Sequence, residues 1–180
     1  MSQPVVPAVD PSFVAAAQRI LADLVAGGAA LGWVEPPSLP EVAELLGHVA
    51  AAARTGDGAL RAAHVDGRLA GLGYWLRYTR PTHRPHADLE KLAVAADVHG
   101  HGIGRALTVA LIDDARRAGI EVLTLDARGD NSTALGLYRS LGFTEYGRLP
   151  RFVAVGARRY DKVLLMLDLR PATGSRSGSR

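Results

Sequence analysis

A phosphate-binding turn is the first chemistry that the sequence suggests. Gly100, Gly102 and Gly104 alternate with His101 and Ile103, and Arg105 follows directly. An apolar run, Leu92-Ala93-Val94, precedes the turn, and Leu107, Leu111 and Ala115 recur behind it at helical spacing. A strand, a glycine-rich turn and a helix N-terminus together make an anion site. Glycine lets successive N–H groups converge on one point, and the helix dipole adds about half a positive charge there. The guest that suits it is a phosphate or pyrophosphate. The glycines do not follow the dinucleotide spacing G-x-G-x-x-G, nor the P-loop spacing G-x-x-x-x-G-K-[ST].

A second cluster lies downstream: Asp126, Asp130, Asn131, Ala134, Leu137, Tyr138, Gly142 and Phe143. With it the sequence resembles the GNAT superfamily of acyl-CoA-dependent N-acetyltransferases. The family pattern is an apolar strand ending in Val, a Q/R-x-x-G-x-G/A loop opening a helix, then a strand and N-x-x-A-x-x-L-Y-x-x-x-G-F. Asn131, Ala134, Leu137, Tyr138, Gly142 and Phe143 match the second part, and Gly102 and Gly104 match the first. His99 stands where the family usually has Gln or Arg. A weaker resemblance, to the tabtoxin-resistance-type small-molecule branch, rests on Gly28–Trp33 before Pro37-Ser38, on 87–94, and on Gly147–Phe152.

The resemblance implies an acetyl-CoA-dependent N-acetyltransferase and direct attack of an amine on the thioester, with a carboxylate general base and a tyrosine general acid. An aliphatic amine with a pKa near 10.4 is only about 0.1% neutral at pH 7, so a base is useful. Strand alternation puts Asp88, Glu90, Leu92 and Val94 on one face and Leu89, Lys91 and Ala93 on the other. Asp88 lies six residues before Val94, the place that a strand-borne glutamate base holds in the family. Glu90 competes on the same face. Asp126, ending the neighbouring strand, could serve as base or as counter-ion to the acceptor amine. Either carboxylate could instead be a cross-strand partner of Lys91 or Arg128. The resemblance makes Tyr138 the general acid, gives Asn131 and the backbones of Leu92 and Val94 to the pantetheine, and gives Gly100, His101, Gly102, Ile103, Gly104 and Arg105 to the pyrophosphate. Trp33 and Glu35 would sit beside the acceptor, although the plainer reading of Trp33 is a lid on the core. The weaker resemblance favours a small-molecule amine. A protein lysine or N-terminal acetyltransferase and a non-catalytic acyl-CoA-binding module remain alternatives. The Trp33 loop and Arg148–Val155 suggest a covered pocket.

These residues need elements to carry them. Asp10-Pro11 reads as a cap and first residue of a helix through Phe13, Ala17, Ile20 and Leu24. Ser38 and Glu41 form a capping box opening a second helix, with Val42, Leu46 and Val49 inward. Two strand-like runs, Leu60–Val65 and Arg68–Tyr78, flank the hairpin signal Asp66-Gly67. Strands follow at Ala87–Val94, Glu121–Ala127, Phe143–Val155 and Tyr160–Leu169, with helices at residues 104–118 and from Asp130 or Asn131 to Gly142. Residues 1–9 could add a short edge strand, weakened by Pro4 and Pro7. This order implies an α+β, three-layer α/β/α fold: a mixed, mostly antiparallel sheet of about six to seven strands and about four helices, with one parallel step at the glycine turn. The resemblance adds a splayed central strand pair.

The chain of 180 residues suits a single domain over 1–169, with 170–180 a disordered basic tail. The absence of cysteine excludes disulfides, thiolate metal sites and a thiol nucleophile. His83 and His86 lack a clear third ligand, so no metal is expected. The net charge of +3 comes from Arg170, Arg176 and Arg180, which leaves residues 1–169 balanced and argues against nucleic-acid binding. Gln18, Arg19 and Asp23 interrupt the one long apolar run, and the N-terminus lacks a signal-peptide pattern, so a cytoplasmic protein without a membrane partner is expected. Monomer and homodimer are both compatible with the sequence.

Overall fold

The computed structural model describes residues 3–171, so residues 172–180 of the expected tail lie outside the described residues. Helix α1 (Pro11–Ala26) starts where Asp10 accepts the Phe13 N–H at 2.8 Å, and α2 (Leu39–Arg54) starts at the Ser38–Glu41 capping box. Strands β1 (Gly58–Val65) and β2 (Arg68–Arg77) turn through Asp66 and Gly67, at φ 50° and 75°. Two positive φ values in succession give the turn whose twist matches the flanking strands. Next come β3 (His86–Val94), α3 (Ile103–Arg117), β4 (Val122–Arg128), α4 (Ser132–Ser140), β5 (Thr144–Val155) and β6 (Arg158–Asp168). The expected N-terminal edge strand is a single bridge between Val5 and Ala62.

The six strands lie in the order β1-β2-β3-β4-β6-β5, antiparallel throughout except between β3 and β4. Two apolar layers hold the sheet. Phe13 and Leu21 of α1 and Val42 and Leu46 of α2 pack on Leu60, Leu72 and Tyr74. On the opposite face Leu111 of α3 and Leu135 and Tyr138 of α4 pack on Leu89, Leu123 and Leu165. Trp75, 1% exposed, anchors α3 by donating its indole N–H to the Leu111 carbonyl at 3.1 Å. Each such fully buried large side chain contributes on the order of 2 kcal/mol.

Two irregularities shape the middle of the sheet. The β3–β4 ladder covers only His86–Asp88 against Val122–Thr124, after which the parallel strands part. At the same place β3 bulges. Leu72 pairs with Ala93 but Tyr74 pairs with Glu90, so Lys91 and Leu92 together oppose Gly73, and Lys91 takes φ 49°. Leu92 presses so close that a Cβ on Gly73 would meet its Cδ1 at 2.9 Å. The bulge corrects the simple alternation. Asp88 and Glu90 share one face, but Leu92 and Val94 turn to the α3 side, where they pack near Ile103 and Leu107. One extra residue reverses the parity of everything after it.

Candidate active site

The parting of β3 and β4 opens a cleft of about 480 Å³. Asp88 to Leu92 form one wall and Asp126 to Arg128 the other, with Asn131, Ala134 and Tyr138 of α4 at the side. The segment Ala29–Gly32 closes one rim. Arg128 holds that rim by donating to the Gly28 carbonyl at 2.8 Å while pairing with Asp130 at 2.6 Å.

The glycine turn follows β3 and opens α3, and its residues are not among those that line this cleft. Gly100 and Gly102 adopt φ 81° and 76°, and Gly102 caps α3 with no side-chain hydrogen bond. The first bond of the helix runs from the Ala106 N–H to the Gly102 carbonyl at 3.0 Å. Among the described residues, no backbone carbonyl takes the N–H groups of Ile103, Gly104 and Arg105. Those donors and the dipole behind them fit a pyrophosphate. A Cβ on Gly104 would touch Val94 and Leu137 at 3.7 and 3.6 Å, so this glycine faces the gap between β3 and α4. The two histidines brace the turn. His99 Nε2 lies 2.8 Å from the Val94 carbonyl, which can only accept, so that nitrogen carries the proton. His101 Nδ1 bonds the His99 and Val98 carbonyls at 3.0 and 3.2 Å. Arg105 reaches Ser140 at 2.8 Å, joining the start of α3 to the end of α4.

Three carboxylates gather on the face away from α3. Asp88 accepts from the Thr124 hydroxyl at 2.5 Å. Burial pushes its pKa up to about 6, against the Thr124 bond, with Glu90 and Asp126 raising it further and Lys162 lowering it. Glu90 accepts from Tyr74 at 3.3 Å, with Lys91 Nζ at 3.9 Å. Asp126 pairs with Lys162 of β6 at 2.9 Å rather than with Lys91 or Arg128. Side chains that are 44% and 27% exposed make this a weak tie, worth about 0–1 kcal/mol.

Tyr138 is 7% exposed, its ring edge-on to Phe143 at 5.7 Å. Burial, with Asp126 nearby, pushes its hydroxyl up to about 12, so it is a proton donor at neutral pH. No protein group among the described residues hydrogen-bonds that hydroxyl. Asn131 caps α4 by accepting the Ala134 N–H at 3.1 Å, which leaves its amide NH₂ beside the cleft.

Trp33 and Glu35 stand apart from the cleft lining. Trp33 packs partly buried on the α1–α2 core with Lys91 Nζ 4.7 Å from its ring centroid, and Glu35 is exposed. Along β5, Tyr146 and Phe152 are 53% and 62% exposed, so the Arg148–Val155 rim stays open. Sequence reasoning missed Thr124, Lys162 and Tyr78, because what brings them to Asp88 and Asp126 is cross-strand register. His83 and His86 belong to no cluster with metal-ligand composition among the described residues.

A mixed sheet split at its one parallel step, with a glycine turn feeding a helix behind the split, defines an acyltransferase-type scaffold. Residues 29–143 match the model of the Acetyltransferase (GNAT) family, and the chain belongs to that family. It is 35% identical over 83 residues to the ribosomal protein bS18-alanine N-acetyltransferase of Escherichia coli K12, covering 46% of this chain and 56% of that protein. It is 35% identical over 92 residues to the mycothiol acetyltransferase of Saccharomonospora viridis, covering 48% and 30%. The chain thus spans about half the length, or less, of these curated relatives. Among solved structures, the ribosomal-protein-alanine N-acetyltransferase of Brucella melitensis superposes with a TM-score of 0.80 at 25% identity, over 89% of this chain and 96% of that one. Salmonella typhimurium yncA, solved with its cofactor acetyl-CoA, superposes at 0.82 with 21% identity, over 98% and 100%. That likeness is one of fold. Among the described residues, no helix is long and apolar enough to cross a membrane.

Proposed function

We propose that this protein transfers an acetyl group from acetyl-CoA to the primary amine of a small molecule, with Asp88 as general base and Tyr138 as general acid. The observation that carries the reading is the placement of a half-buried carboxylate and a buried phenol on one cleft, and the unbonded N–H groups of the glycine turn, which follows the same strand, support it. The N–H groups of Ile103, Gly104 and Arg105 would hold the pyrophosphate. The edge of β3 beyond Asp88, which has left its ladder with β4, would hold the pantetheine amides, with the Asn131 amide beside it. Acetyl-CoA, when bound there, supplies the acyl thioester.

Asp88 is ionised at neutral pH yet more basic than an ordinary aspartate. Raising its pKa from 3.8 to about 6 brings it about two units nearer to an ammonium, which lowers the cost of proton transfer by about 3 kcal/mol. Tyr138 keeps its proton until a thiolate needs one. Asp126 and Glu90 add negative charge at the mouth, which suits a cationic amine. Asp126 is thus a counter-ion for the acceptor rather than the first base.

A second reading, acetylation of a protein N-terminal amine, draws on the relatives that act on a ribosomal protein and on the open rim along β5. One assay separates the two readings. Free thiol is measured as the protein meets acetyl-CoA with a panel of small primary amines and of peptides with free N-termini. Turnover confined to small amines supports the first reading. Turnover confined to peptides replaces it with the second, and thiol release with neither removes both in favour of an acyl-CoA-binding module.

A further inference from the structure

Asp88 is held by a chain of hydroxyls. Thr124 Oγ1 lies 2.5 Å from Asp88 Oδ1, and the Tyr78 hydroxyl lies 2.6 Å from Thr124 Oγ1. The direction of the chain follows from counting protons. An ionised carboxylate can only accept, so the single Thr124 proton points at Asp88, and the Tyr78 O–H must donate to Thr124. Thr124 has one competing acceptor, the Ala87 carbonyl at 3.4 Å. A donor on its lone pair disfavours turning toward that carbonyl. Asp88 Oδ2 has no hydrogen-bond partner among the described residues and remains for the acceptor.

We propose that Thr124 and Tyr78 are positioning residues for Asp88, a two-hydroxyl chain that fixes one carboxylate oxygen and leaves the other for the incoming amine. The role rests on the reading of Asp88 as base. Neither residue meets the acceptor in this scheme; both act through Asp88. The placement depends on the register of the split sheet. Asp88 pairs with Thr124 at the last rung of the β3–β4 ladder, so the hydroxyl stands where the strands begin to part. Tyr78 follows β2 directly, its backbone N–H bonded to the His86 carbonyl at 3.1 Å and its ring edge-on to His83 at 6.0 Å.

Several charged or titratable groups surround Asp88. Glu90 comes from its own strand, Asp126 from β4, Lys162 from β6, Tyr146 from β5, and Tyr74 and Tyr78 from the β2 side. Glu90 and Asp126 oppose ionisation of Asp88 while Lys162 and the Thr124 bond favour it. Loss of the hydroxyl chain should therefore raise the pH at which Asp88 ionises, with the other groups left in place.

Carboxyl carbon NMR of the full chain tests this without an acceptor, the Asp88 signal being assigned by its loss in Asp88→Asn. Thr124→Val, close in shape and well suited to a strand, should raise the Asp88 midpoint by about one pH unit or more. Tyr78→Phe should raise it by less, since Thr124 can still donate, and Thr124→Ser should restore the wild-type midpoint. An unmoved midpoint in folded Thr124→Val overturns the proposal, and so does one unmoved in Tyr78→Phe, which decides alone should Thr124→Val fail to fold. Turnover of Asp88→Asn reports separately on the base. If that variant turns over normally, the reading of Asp88 as base falls whatever the titrations show. If it is inactive while the titrations do not move, only the hydroxyl chain falls.

Discussion

Tyr138 and Asp88 are each perturbed by burial, in ways that suit opposite roles. The Tyr138 ring closes the α4 side of the second core, and burial keeps its hydroxyl protonated. Tyr138→Phe removes one oxygen and little packing. It should lower kcat by about 10²-fold or more with a nearly unchanged Kd for acetyl-CoA, and the loss should not recover at high pH. Recovery by pH 9 would assign the phenol to deprotonation instead. Asp88 bears a stability cost. Its folded pKa of about 6 exceeds 3.8, so between those values the native state binds more protons than the unfolded chain. Stability therefore falls as pH rises across that window. Asp88→Asn should match the wild type below pH 4 and exceed it above pH 6, by at most about 3 kcal/mol. Urea unfolding at the two pH values measures this, and an equal difference at both would deny the raised pKa.

Among the elements, α3 and its turn would carry the acyl-donor end of the proposed site. Gly104 has ordinary conformational freedom, and its Cβ contacts of 3.6 and 3.7 Å leave room for a methyl. Gly104→Ala should fold and bind acetyl-CoA with modest loss. Gly104→Asp should fold and lose binding, because a carboxylate would stand where the N–H groups turn toward an anion. Calorimetry with both variants checks this, and equal affinity in folded Gly104→Asp would remove the turn from the site. Much of this element was legible in the sequence, since glycine at 100, 102 and 104 and the helical spacing of Leu107 and Leu111 are local signals. The caps at Asp10 and Ser38 and the Asp66-Gly67 turn were legible for the same reason. The bulge at Lys91 was not. It is a shift of cross-strand register, with Leu92 lying close over Gly73, which no local pattern records, and it turns Leu92 and Val94 away from the face of Asp88. For Trp33 the sequence left two readings, a lid on the core and a wall of the acceptor pocket. Its composition suits a pocket, but its neighbours in space are the α1–α2 core and Lys91, while the smaller residues Ala29–Gly32 line the cleft.

Across the whole molecule, the two halves of the sheet meet through three β3–β4 pairs and otherwise part, so the cleft is a property of the fold and not of a loop. Helices α1 and α2 cover β1 to β3 on the carboxylate face, and residues of β4, β5 and β6 on that face remain partly open. There Asp126, Lys162, Tyr146 and Phe152 surround the approach to Asp88, and an acceptor would enter across them. An amine arriving by this route would lose its proton to Asp88. The most direct measurement is kcat against pH for the wild type and Asp88→Asn, with the amine or peptide that gives the greatest thiol release. Asp88→Asn should lose about 10²-fold or more at pH 7, with an unchanged Kd for acetyl-CoA. That deficit should narrow toward pH 10, where the amine arrives already neutral. Wild-type turnover by Asp88→Asn at pH 7, or a deficit that stays constant with pH, would contradict it.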